Sequence, residues 1–109
     1  MSKSKRTSPD IPICFAGRIV FEFFNNDDED FKVRTLTSLA KEVRKEANVS
    51  CTYVEEGQVQ NPERGVLAVA CIAKSHDHGK SILDKALSYL DGKAPARIQA
   101  EDFQEAELP

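Results

Sequence analysis

Hydrophobic and other residues alternate along positions 13–24, and this period of two predicts a first β-strand. One side of that extended chain is hydrophobic except for a glycine, and it consists of Ile13, Phe15, Gly17, Ile19, Phe21 and Phe23. Gly17 marks a bend, a bulge or a close approach of a second backbone segment. The polar run at 25–30 then ends the strand in a loop.

Beyond Asp30 the hydrophobic residues recur at steps of three and four, which predicts an amphipathic helix over 31–47. Asp30 is the predicted N-cap, a position where a carboxylate also suits the helix dipole. Asn48 is a natural C-terminal residue for this helix. Its inner face is formed by Val33, Leu36, Leu39 or Ala40, Val43 and Ala47.

Two more strands follow the first helix. Residues 49–54 alternate again and predict a short strand, and the polar residues 55–64 predict a loop. Residues 65–73 are nearly all apolar, which is typical of a central strand that is covered on at least one face.

A second helix and a last strand complete the pattern. Ser75 or Asp77 is the predicted N-cap of the helix, which ends at Gly92 ahead of Pro95. Residues 96–104 predict a shorter, polar last strand at an edge of the sheet.

The order of these elements is β-α-β followed by a second β-α-β. Right-handed crossovers place both helices on one face of a single antiparallel sheet, so we predict an α+β, ferredoxin-like β-α-β-β-α-β sandwich. The opposite face of the sheet must then be covered by water, a partner subunit or a ligand. We expect a disordered tail at 1–10, one domain at 11–104 and an acidic tail at 105–109.

Composition indicates a cytoplasmic protein. No run of about 18 apolar residues exists, so we expect no membrane span, and no apolar segment follows the basic N-terminus as in a secretion signal. Cys14, Cys51 and Cys71 are odd in number and widely spaced, which argues against a disulfide framework. We interpret them as reduced, mostly buried thiols in a reducing compartment.

The net charge of −3 argues against strong, non-specific binding of nucleic acid, but the charge is uneven. An acidic run at 27–30 precedes a basic cluster on the first helix, formed by Lys32, Arg34, Lys41, Arg44 and Lys45. This basic cluster is our candidate site, a patch that contacts RNA phosphates. The simpler interpretation is a solvated helix face with some Glu–Lys pairs.

No residues form a convincing catalytic or metal site. His76, His78 and Cys71 supply three donors at best for zinc, and a polar turn that caps a helix explains the two histidines more simply. The acidic run at 27–30 lacks the glycine and terminal glutamate spacing of an EF-hand. We therefore predict no catalytic residues, no metal and no cofactor.

Several short segments, taken in order, resemble the YlxP-like family of small bacterial proteins, a domain of unknown function. They are Ala16-Gly17 with Glu22, the stretch from Arg44 to Cys51, Ser75-His76-Asp77, and Ile82-Leu83-Asp84. The family's Ser-Leu-Lys-x-Lys-Arg box survives here in part, as 30–34 followed by Thr35. The resemblance implies a ferredoxin-like fold and self-association, but no established activity. Genes of this family often lie beside translation genes, which suggests work on RNA or ribosomes by association.

Three functional hypotheses follow. The first is a non-enzymatic accessory protein that binds structured RNA or a ribosomal particle through the basic cluster. The second is a structural module, a homodimer or higher homo-oligomer, that binds a protein or small molecule at the sheet face or subunit interface. The third is a small-molecule or catalytic site at a subunit interface, built on His76, His78 and Cys71.

Overall fold

The computed structural model describes residues 9–57 and 60–109. Its elements are β1 (Ile13–Glu22), α1 (Glu29–Ala47), β2 (Ser50–Val54), β3 (Arg64–Ala73), α2 (His76–Lys93) and β4 (Arg97–Glu107). The four strands form one antiparallel sheet in the order β2-β3-β1-β4. This is the predicted ferredoxin-like α+β arrangement. The predicted tail at 1–10 lies mostly outside the described residues.

The core lies between the two helices and one face of the sheet. Ile19 of β1 is paired with Leu67 of β3, and both side chains are fully buried. Leu36 and Val43 of α1 and Leu90 of α2 are fully buried as well. Burying each such side chain stabilises the fold by about 2 kcal/mol, which is why the alternating and helical hydrophobic patterns determine which faces meet.

The helices begin and end at the polar residues that suit those positions, with small shifts from the prediction. The side chain of Asp28, not Asp30, accepts a hydrogen bond from the Phe31 amide at 3.2 Å and caps α1. Asn48 adopts the left-handed conformation at the end of α1, with φ 55°. Ser75 caps α2, and α2 continues one residue past Gly92 to Lys93.

The last strand is longer than predicted. β4 extends through Glu107, so residues 105–107, which we predicted to be a tail, pair with β1. Gly17 makes this pairing possible, because a Cβ atom at that position would lie 2.0 Å from the Asp102 carbonyl oxygen. Of the three roles proposed for Gly17, the close backbone approach is therefore the correct one.

Neither helix among the described residues is both long enough and apolar enough to cross a membrane.

Candidate functional site

Three of the predicted basic residues share one exposed face of α1. A helix turns about 100° per residue, so Arg34, Lys41 and Lys45 lie within about 40° of one another around its axis and span about 16 Å along it. All three side chains are exposed. We call these three residues the basic stripe. Within the described residues, none of the three forms an ion pair.

Lys32 does not belong to this face, and the prediction that it does is wrong. It lies about 160° away from Arg34 around the helix, and it is 4% exposed. Its ammonium group donates a hydrogen bond to the Asn61 carbonyl oxygen at 2.9 Å and lies 3.0 Å from Glu29 Oε1. The sequence carried a signal for this burial, because Lys32 precedes Leu36 by four residues on the inner row.

Arg44 lies beside the basic stripe and has a structural contact of its own. Its Nη1 atom donates a hydrogen bond to the carbonyl oxygen of Cys51 at 2.7 Å. Since Cys51 belongs to the edge strand β2, the guanidinium group links the end of α1 to the border of the sheet. Positive charge therefore continues from the basic stripe to this edge.

Three acidic residues near the basic stripe have other partners. Glu42 accepts a hydrogen bond from the Tyr89 hydroxyl at 2.7 Å, and this bond raises the pKa of Tyr89 to about 12. Asp28 caps α1, and Glu29 faces Lys32. Asp30 stands one turn before Arg34, where a carboxylate weakens the local positive charge.

A groove runs beside the stripe, between α1 and the end of α2. Phe31, Arg34, Lys93 and Pro95 are among its lining residues, and its volume is about 480 Å³. Phe31 is 38% exposed and is held edge-on against buried Phe23, with ring centroids 6.2 Å apart. A partly exposed aromatic ring in a groove that is also lined by two cationic side chains suits a nucleic-acid base and its flanking phosphates.

The sheet face opposite the helices carries mostly small side chains. We call it the open face. Its accessible hydrophobic members, read from the pairing register, are Cys14, Ala16, Val20, Val54, Ala68, Ala70, Ile72, Ala100 and Ala106. Val66 shares this side of the sheet but is fully buried. Ile72 is 59% exposed there. Alanine is the commonest of these residues, so the surface is nearly flat.

Most of the charged groups of the open face are arranged in opposite-sign contacts. Arg64 binds Glu56 through two hydrogen bonds of 2.7 and 2.9 Å, which hold the pKa of Glu56 below its usual value. Arg18 lies 4.0 Å from the same carboxylate. Arg97 binds Glu22 across the first pair of β4. These contacts leave the open face with little net charge.

The two histidines have different partners and do not form one site with Cys71. His76 Nδ1 lies 2.9 Å from Glu105 Oε1, whereas His78 Nδ1 accepts a hydrogen bond from the Lys74 amide at 3.1 Å. Cys71 is buried in the core, and burial raises its pKa. Among the described residues, no group of three His, Cys, Asp or Glu side chains is arranged to hold a metal ion.

Together these features define a ferredoxin-like α+β domain with one basic helix face and one open sheet face. Residues 32–103 match the family model described as a protein of unknown function, DUF503. The chain therefore belongs to the DUF503 family. The matched region begins within α1 and ends within β4, so it contains the basic stripe. No curated protein matches the chain.

Proposed function

We propose that this protein is a cytoplasmic, non-enzymatic accessory protein that binds RNA, free or within a ribosomal particle, through the basic stripe. The observation that carries the proposal is the exposure of Arg34, Lys41 and Lys45 on one face of α1, with no ion pair among the described residues. The resemblance to the YlxP-like family, whose genes often accompany translation genes, supports the same proposal.

The charge distribution determines how such binding would behave. The whole chain carries a net charge of −3, so attraction to phosphate is local to the stripe and its neighbour Arg44. Each cation that contacts a phosphate releases a condensed counterion, which makes the affinity fall as salt is added. We therefore expect modest, salt-sensitive binding, with Phe31 available for stacking on an unpaired base.

Replacing Arg34, Lys41 and Lys45 with alanine is expected to weaken RNA binding and to reduce its salt dependence. Loss of three phosphate contacts should lower the slope of log affinity against log salt by about 2. Filter binding to structured RNA at several salt concentrations measures that slope. A variant with Lys74, Lys80 and Lys85 replaced by alanine has the same net charge and serves as the control. Equal losses in both variants would contradict the proposal.

A second function, self-association through the open face, is favoured by a separate observation. The side chains of the open face are mostly small and hydrophobic, and its net charge is close to zero. Such a surface is better suited to packing against a second sheet than to binding RNA. The 36 strand residues, at about 3.4 Å per residue and about 4.8 Å between strands, present about 600 Å² per subunit. Two such faces bury about 1,200 Å², the lower end of the range for specific interfaces. The stripe on α1 would remain free in such a homodimer.

The substitution Ala70→Arg is expected to convert such a homodimer to a monomer, because it places a long cation at the centre of the open face beside Ala16. Light scattering coupled to size exclusion measures the mass. In the unsubstituted protein, a thiol reagent should also label Cys14 more slowly as the protein concentration rises, because a homodimer would cover the open face on which Cys14 lies. Ser88→Arg on the exposed side of α2 is the control and should leave the mass unchanged. An unsubstituted chain that stays monomeric at high concentration would exclude this function.

A further inference from the structure

The two edges of the sheet differ in length and in protection. β2 has five residues, and the Arg44 guanidinium group binds its Cys51 carbonyl oxygen. β4 has eleven residues, and within the described part of the chain no element pairs with its outer side. An unpaired edge of that length presents a row of backbone donors and acceptors that can pair with another extended chain.

The hydrogen-bonding register identifies which residues present those groups. The Leu108 amide donates to the Pro12 carbonyl oxygen at 2.8 Å, so the backbone N–H and C=O groups of Leu108 point toward β1. Successive residues of a strand in an antiparallel sheet point these backbone groups alternately toward and away from the neighbouring strand. The backbone groups that face outward, away from β1, therefore belong to Glu101, Phe103, Glu105 and Glu107.

Three of these four residues are acidic, and all four side chains lie on the helix side of the sheet. Phe103 fills the space beside Gly17, which lacks a side chain. The outward edge thus combines free backbone groups with carboxylates at 101, 105 and 107 and one aromatic residue at 103. Of the nearby side chains, Arg97 already contacts Glu22, and His76 already contacts Glu105.

We propose that the outer edge of β4 binds an extended, basic segment of a partner protein, which adds a fifth strand to the sheet. A second copy of β4 is disfavoured in this place, because it would bring carboxylates against carboxylates. Residues that face each other across a ladder share one side of the sheet. The fitting segment therefore has Lys or Arg opposite Glu101, Glu105 and Glu107, and an apolar residue opposite Phe103.

Two labelled peptides of seven residues, one for each strand direction, test this pattern. They read Lys-Thr-Val-Thr-Lys-Thr-Lys for a parallel strand and Lys-Thr-Lys-Thr-Val-Thr-Lys for an antiparallel one. Fluorescence anisotropy with the full chain should show saturable binding of one of them. A peptide of the same composition with its three lysines contiguous should bind at least fivefold more weakly. Equal binding of the contiguous peptide would overturn the proposal, because simple charge attraction would then explain the result.

Two substitutions at one position separate backbone pairing from charge. Glu105→Pro and Glu105→Gln both remove the carboxylate and its contact with His76, but the proline variant also removes an outward amide that β1 does not use. We expect about a twofold loss of peptide affinity for glutamine, since exposed charge pairs are weak. For proline we expect a loss of about tenfold.

Equal affinities of these two variants would also overturn the proposal. If Glu105→Pro fails to fold by circular dichroism, Glu107→Pro with Glu107→Gln at the end of the strand provides the same comparison. The basic-stripe variant should bind the peptide as the unsubstituted chain does. Failure of RNA binding and failure of peptide binding are therefore distinguishable.

Discussion

Replacing Lys32 with methionine is expected to lower the free energy of unfolding by about 3 kcal/mol. The substitution keeps much of the side-chain volume but removes the ammonium group that faces Glu29. Both carboxylate oxygens of Glu29 are buried, and within the described residues neither accepts a well-aligned hydrogen bond, although the Lys32 ammonium group lies 3.0 Å from Oε1. Lys32 therefore provides the charge that compensates this carboxylate, and the Asn61 carbonyl oxygen would also lose its donor.

Urea unfolding followed by circular dichroism measures this loss, and two further variants make it interpretable. The double substitution Lys32→Met with Glu29→Gln removes both charges, and we expect it to recover most of the lost stability. Lys41→Met on the exposed stripe changes the same atoms in solvent and should alter stability by less than about 0.5 kcal/mol. A Lys32→Met protein as stable as the unsubstituted one would mean that Glu29 is adequately solvated without Lys32.

Replacing Gly17 with alanine is expected to destabilise the fold by about 3 kcal/mol. The new Cβ atom would lie 2.0 Å from the Asp102 carbonyl oxygen and 2.7 Å from the Phe103 Cα atom. These neighbours are backbone atoms, so the clash is relieved by moving β4 away from β1. In the Gly17→Ala variant, we expect hydrogen exchange at the β4 amides that bond to β1 to be faster than in the unsubstituted protein. The increase should be larger for these amides than for those of β3.

Gly92→Ala is the matched control for this substitution. Gly92 lies in the last turn of α2, and a Cβ atom there would have no neighbour within 4 Å. Alanine should stabilise the protein by up to about 1 kcal/mol, because glycine is the poorer helix former. Equal urea midpoints for the two variants would show that β4 tolerates a side chain at Gly17.

Local periodicity was enough to predict the number, type and order of the elements. The alternation in β1 persists over enough residues to exclude a helix there. The three- and four-residue steps in α1 likewise persist over enough residues to exclude a strand. The N-cap was misplaced because 27–30 contains four consecutive acids, and several of them can cap a helix. The end of β4 was missed because an exposed edge strand with charges on both faces shows no hydrophobic alternation.

The basic stripe was predictable for the same reason, since the spacing of Arg34, Lys41 and Lys45 follows the helical repeat. The separate position of Lys32 was less apparent, because a lysine is expected at the surface unless a buried partner compensates it. The contact of Arg44 with Cys51 depends on how α1 lies against the sheet edge, which no local pattern contains. RNA binding and self-association stay predictions.

The contacts around Lys32 also determine which parts of the molecule can open together. Lys32 holds Asn61, and the Phe23 amide donates to the Glu63 carbonyl oxygen at 2.7 Å. Asn26 also donates to the Pro62 carbonyl oxygen at 2.8 Å. Displacing residues 61–63 therefore exposes a buried ammonium and a buried carboxylate at once. We therefore expect the start of α1 and the connection before β3 to open together as one cooperative unit, although about thirty residues separate them along the chain.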